Sequence, residues 1–158
     1  MNGEKKKLEE AACRYFLEAY NRKQDTHFKI LKHSDRPDFV VQDGGKTLGI
    51  EITHLYYGDE EAMELLGKLD KASPQVEIFP TLVENLNALL SDKAKQAKGY
   101  DVSRPVILVI RAASPVLNDE DFDQLEENIV VPKSLFREIW LLARDDQTGN
   151  WAGLERLK

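Results

Sequence analysis

The sequence predicts an α/β domain, and three observations predict it. An amphipathic helical stretch comes first, two apolar-rich segments flank Gly44-Gly45 like the arms of a hairpin, and a continuous apolar run from Pro105 to Ile110 follows a second helical stretch. Helical periodicity exchanged for short strands and back again is the pattern of a sheet packed against helices.

The first helix is expected from about Lys6 to Tyr20. Leu8, Ala11, Ala12, Tyr15, Phe16 and Ala19 recur at three- and four-residue spacing and are read as its buried stripe. His27-Phe28-Lys29-Ile30-Leu31 reads as a strand, and the hairpin arms add two more. Gly44-Gly45 suits the positive φ of a tight turn. From Tyr56 to Pro80 the chain is acidic at first and contains Ser73-Pro74; a loop with a short helix around Glu60 to Leu69 is expected, a candidate flap over a site. Thr81, with Glu84 three residues later, has the form of a capping box for a helix running to about Lys98, with Gly99 as its stop. The run from Pro105 to Ile110 fits a central strand covered on both faces. After a variable acidic segment, Ile139 to Ala143 and then Trp151 to Leu157 read as two last strands, joined by a turn over Asp145 to Asn150.

At 158 residues, 42% hydrophobic and 32% charged, the chain fits one globular domain over residues 1–158, large enough to fold without disulfides or structural metal. No apolar run approaches the roughly 20 residues of a membrane helix. The start, Met1-Asn2-Gly3-Glu4-Lys5-Lys6-Lys7, is unlike a secretory signal, so a cytoplasmic location is expected. A single cysteine, Cys13, excludes an internal disulfide and a cysteine-rich zinc site. With only His27, His33 and His54, a nitrogen-rich metal site is poorly supported, whereas a hard cation held by carboxylates is open. The net charge of -6 argues mildly against broad affinity for nucleic acid. The charges are segregated, however. Asp119 to Glu127 and Asp59 to Glu64 are acidic, while Arg22, Lys23, Lys29, Lys32 and Arg36, then Lys93, Lys95, Lys98, Arg104 and Arg111, are basic. Such runs are either local phosphate contacts or simply solvated faces.

Asp38 and Glu51 are the most informative pair. If Gly44 and Gly45 form the turn, Asp43 faces Lys46, Phe39 faces Ile50 and Asp38 faces Glu51, with opposed Cβ atoms roughly 4.5 to 5.5 Å apart. Like charges so placed are unfavourable without a cation between them, and a divalent metal would supply one. The same alternation also allows both carboxylates to lie on the solvated side of an amphipathic hairpin. Lys93 is the second clue. Projected at 100° per residue, it falls in the apolar stripe formed by Leu82, Leu86, Leu89 and Leu90, while Lys95 and Lys98 point away. It either meets a buried partner or snorkels to water at the helix C-terminus. Glu9 borders the apolar face of the first helix beside Phe16, whereas Glu10 points outward; Glu9 either reaches a site shared with the sheet or is a surface glutamate of the first turns. Gly45-Lys46-Thr47 looks like the end of a phosphate-binding loop, but Val40 stands where its first glycine is required. His54 is read as a core or strand-end histidine.

Pro37-Asp38, Glu51-Ile52-Thr53 and the order of elements from Glu4 to Ile110 resemble the PD-(D/E)XK nuclease superfamily. The resemblance implies a restriction-endonuclease-like fold, with a central mixed β-sheet flanked by helices. It further implies Mg²⁺- or Mn²⁺-dependent hydrolysis of phosphodiester bonds, most plausibly in DNA, with Asp38, Glu51 and the backbone carbonyl of Ile52 holding the metal. The chain departs from the motif at its lysine position, which is Thr53. Some branches supply that lysine from the following helix, where Lys93 stands; Glu9, Asp38, Glu51 and Lys93 are then the catalytic candidates. If Lys93 does not reach the site, the resemblance implies a catalytically inactive nuclease-like domain that binds nucleic acid or protein. With no second DNA-binding module in the chain, specificity would come from the Tyr56 to Pro80 segment, a homodimer or a larger complex.

Overall fold

The computed structural model of the chain describes residues 2–55, 75–100, 103–112, 128–143 and 153–158. Helix α1 (Asn2–Gln24) is followed by strands β1 (Lys29–His33), β2 (Phe39–Asp43) and β3 (Lys46–Leu55). Helix α2 (Gln75–Gln96) ends in a 3₁₀ turn (Ala97–Gly99), and strands β4 (Val106–Ala112), β5 (Glu138–Ala143) and β6 (Gly153–Arg156) complete the described elements. The strands form one six-stranded sheet in sequence order. Antiparallel pairing runs from β1 to β3, β3 and β4 are parallel, β4 and β5 are parallel, and β6 returns antiparallel to β5. The protein is thus α/β with a mixed open sheet. None of the described helices is long and apolar enough to cross a membrane.

The hairpin has the register read from the sequence: Phe39 pairs with Ile50, Val41 with Leu48 and Asp43 with Lys46. Gly44 takes φ 59°, a conformation that costs a residue without Cβ little. Because strand residues alternate between faces, Phe39, Val41, Ile50, Ile52, Ile107, Val109, Trp140 and Leu142 build one core beneath α1. Leu55, Val106, Leu108, Ile110, Ile139 and Leu141 build another beneath α2. Strand β4 is buried continuously from Val106 to Ile110, as expected for a strand covered on both sides.

Four boundary or facing expectations are corrected. On α1 the buried face is Ala12, Cys13, Phe16, Leu17, Ala19 and Tyr20, while Leu8 and Tyr15 are 46% and 41% exposed and Ala11 is also exposed. Aromatic packing turns the helix this way: Tyr20 stacks with Phe16, Phe28 and Trp140, which rotates the Leu8-Ala11-Tyr15 row toward solvent. The helix also runs on to Gln24, where Asp25 at φ 55° and a Thr26 N–H donated to the Asn21 carbonyl close it in the manner of a Schellman cap. Strand β1 starts two residues late because the Asn21 amide satisfies both the N–H and the carbonyl of Phe28, withdrawing it from the ladder. Helix α2 begins at Gln75, so Thr81 lies inside it rather than at its cap. Pro80 forfeits one intrahelical hydrogen bond without ending the helix, because the residues on both sides of it continue the turn. The short helix expected at Glu60 to Leu69, the rest of the flap to Pro74, the acidic segment near Asp119 and the turn at Asp145 to Asn150 lie outside the described residues.

Candidate functional site

The site forms where β2 stops short of its neighbour. β2 begins at Phe39, opposite Ile50, while β3 continues to Leu55. Among the described residues the edge of β3 beyond Ile50 therefore has no strand partner on that side, and Asp38, immediately before β2, takes its place. Its Oδ2 accepts the Ile52 N–H at 2.9 Å, and its own N–H donates to Glu51 Oε1 at 3.2 Å. The two carboxylates that the hairpin register predicts to be neighbours are thus linked through each other's backbone surroundings. A residue's N–H and carbonyl face the same side of a strand. The Ile52 carbonyl therefore faces the side on which Asp38 lies.

The approach of Asp38 depends on a glycine. A Cβ on Gly49 would collide with the buried Pro37 ring and crowd the Val106 side chain. A Ser34 N–H donated to the Asp38 carbonyl at 2.7 Å closes the loop that carries Pro37 and Asp38.

Glu51 is buried at 6% exposure, on the face of the sheet covered by α2. An unpaired carboxylate there would be costly, and two donors from α2 and its end meet it. Lys93 Nζ donates to Oε2 at 3.2 Å, the two side chains being 16% and 8% exposed. The Tyr100 hydroxyl donates to the same oxygen at 2.6 Å. Of the two alternatives that its place in the apolar stripe left open, Lys93 takes the partner, while Lys95 is exposed. Thr53 is buried beside this group on the same face of β3, where it brings no charge.

Electrostatics follow from the crowding. Burial, then the charge of Glu51, push the Asp38 carboxyl up to about 7, against the hydrogen bond from Ile52, and the charge of Glu9 adds to the rise. Burial and then the contact with Glu51 hold the Tyr100 phenol well above its ordinary range, so it remains a donor. Glu9 is half-buried and lines, with Lys6, His33 and Asp38, a cleft of about 250 Å³. Of the two readings open for Glu9, a place beside the sheet or a surface position, the shared cleft gives it the first. Glu10 does not simply face water: it pairs with Arg14 at 2.8 Å and with His33 on β1 at 3.1 Å. Cys13 lies near this region, but burial pushes its thiol up to about 12, far from reactive.

Two carboxylates and a backbone carbonyl are hard oxygen donors, the chemistry that Mg²⁺ and Mn²⁺ select. A carboxylate oxygen has two lone pairs. Lys93 and Tyr100 occupy both on Glu51 Oε2, whereas Oε1 accepts only the Asp38 N–H among the described hydrogen bonds. Asp38 Oδ2 likewise accepts one N–H, leaving this carboxylate capacity on both oxygens. The donor set, two carboxylates and a carbonyl, fits a small divalent cation held between Asp38 and Glu51 Oε1. Tyr100 is the participant that the sequence reading missed. Its only signal is its spacing of seven residues after Lys93, about two helical turns, interrupted by Gly99. Compared with protein-family models, curated proteins and solved structures, the chain matches none.

Proposed function

We propose that this protein is a divalent-metal-dependent nuclease of restriction-endonuclease-like fold, cutting phosphodiester bonds in DNA. The observation that carries the reading is the contact of Lys93 with Glu51 across 42 residues of sequence. It brings a cation from the following helix to the place left without one by Thr53. The parallel pairing of β3 with β4 after an antiparallel β1-β2-β3 meander supports the fold.

Asp38, Glu51 and the Ile52 carbonyl would hold Mg²⁺ or Mn²⁺. When bound, the metal supplies an acidified water and neutralises charge growing on the phosphate. Lys93 balances the charge of Glu51 and offers its remaining N–H donors to water or to a phosphate oxygen at the open side of the group. Glu9, at the cleft on the α1 side, adds negative charge that favours a cation beside Asp38. Arg36 and Lys98 are exposed next to the site, with an Arg36 Nη close to Gly99, and are suited to phosphates flanking the scissile one. Specificity would then be supplied by a homodimer, a larger complex or the segment between β3 and α2.

A second reading has its own observation. Both acceptor positions of Glu51 Oε2 are filled by protein donors, so much of its charge is already answered from within. That suits an inactive nuclease-like domain that binds nucleic acid or a protein partner. Mn²⁺ calorimetry joined to cleavage assays on single- and double-stranded DNA and RNA separates the two. The nuclease reading expects Mn²⁺ uptake and cleavage by the wild type, and loss of both in Asp38→Asn with the fold retained. A wild type that takes up no Mn²⁺ and cuts nothing leaves the binding module as the account.

A further inference from the structure

Tyr100 shares the buried Glu51 oxygen with Lys93, but it is anchored independently of that lysine. Its N–H donates to the Ala97 carbonyl at 3.0 Å, fixing it to the 3₁₀ turn that ends α2. Its ring stands edge-on to Phe136 at 5.9 Å and 83°, and the residue is 8% exposed. A side chain with two χ angles, wedged against another ring, has little freedom to follow a moving partner. Lysine has four flexible methylenes and three rotatable donors. The 2.6 Å hydroxyl contact is also the shorter of the two, against 3.2 Å for Lys93.

We infer that Tyr100 is a positioning residue that clamps Glu51 through Oε2 and so turns Oε1 toward Asp38, presenting the pair to a cation. The inference rests on the proposed metal site for its consequence but not for its geometry. Lys93 would balance the charge of Glu51 without choosing an oxygen, since any of its three protons can serve either one, and among the described hydrogen bonds only the 3.2 Å contact from the Asp38 N–H would then hold Oε1. The phenol, held on a fixed ring, selects one oxygen. Partners behind a metal ligand that set its orientation are commonly worth about 10- to 100-fold in metal affinity.

The test compares the wild type with Tyr100→Phe, which keeps the ring against Phe136 and removes only the hydroxyl. Metal-free crystal structures read the orientation of the Glu51 carboxylate, and calorimetry with Mn²⁺ alone reads affinity. Thermal unfolding confirms that both proteins are folded. The clamp expects the Glu51 carboxylate to turn away from its wild-type orientation in the variant and Mn²⁺ affinity to fall by about tenfold, with Lys93 still in contact. An unturned carboxylate, or unchanged Mn²⁺ affinity despite a turned one, overturns it. Failure of the wild type to take up Mn²⁺ strikes the metal reading instead, and the crystals then decide alone whether Tyr100 sets the carboxylate.

Discussion

On the face covered by α1, strand β3 contributes Ile50 and Ile52 to a core that includes Phe16, Tyr20, Phe39 and Trp140. On the face covered by α2, the alternating residues of the same strand are Gly49, Glu51, Thr53 and Leu55, and only the last belongs to the apolar core there. The first face is filled by side chains whose burial is favourable wherever they fit. The second accepts a glycine that tolerates close approach, a buried carboxylate and the lysine and tyrosine needed to satisfy it. Buried ion pairs of this kind contribute little net stability, because desolvation offsets attraction. The contrast teaches that one strand can serve the fold with one set of side chains and, two-residue alternation permitting, chemistry with the other.

That contrast is most directly broken by truncation. Phe16→Ala, at a fully buried ring under α1, is expected to lower unfolding free energy by about 3–5 kcal/mol, whereas Glu51→Gln, which leaves the Lys93 ammonium without its carboxylate but relieves the repulsion on Asp38, is expected to cost clearly less. Denaturant titrations of the two variants measure this, and a large loss from Glu51→Gln would make the α2 side as structural as the other. Next in size is Lys93→Ala, expected to slow cleavage by about 10²-fold, or about 2.7 kcal/mol in activation free energy. Lys95→Ala, on the exposed side of α2, should be indistinguishable from wild type. Equal rates for the two variants would remove Lys93 from the reaction.

Gly49→Ala sharpens the comparison by testing a position that touches both architecture and site. Its methyl must displace the Pro37 ring, so a cost of about 1–3 kcal/mol is expected from overpacking, together with weaker Mn²⁺ binding as Asp38 is carried away. Normal metal affinity in a destabilised variant would separate the close approach from the site. The smallest effect concerns pH. Asp38 has its carboxyl raised on folding, so its contribution is fully present below the ordinary aspartate pKa near 4. It is lost as pH rises through about 7. Because the side chain is only half-buried, the wild type without metal should lose about 1–2 kcal/mol over that interval. Asp38→Asn should flatten this slope, and Mn²⁺ should restore stability to the wild type at pH 8; parallel slopes for the two proteins would contradict the crowding argument.

Local signals made much of this molecule readable. Gly44-Gly45 set the hairpin, alternation set its register, and that register made Asp38 and Glu51 neighbours before any tertiary contact was known. The apolar run at β4 announced a strand covered twice, and the projection of Lys93 into a leucine stripe singled it out while leaving open whether it met a buried partner or reached water. These features depend on spacing along a regular element, and spacing is written in the chain.

What the tertiary structure alone decided depends on groups that no periodicity relates. The choice of which α1 residues are buried fell to the Tyr20 aromatic cluster, assembled from α1, the residue before β1 and β5. The start of β1 was decided by the Asn21 side chain, whose amide competes with the ladder for the backbone of Phe28. The identity of the partner for Lys93, and the arrival of Tyr100 at the same oxygen, required α2 to be laid across β3. A sequence marks the positions on a regular element that can point inward; which of them are buried, and what they meet there, is fixed only when two elements pack and every buried polar atom must find its hydrogen bond.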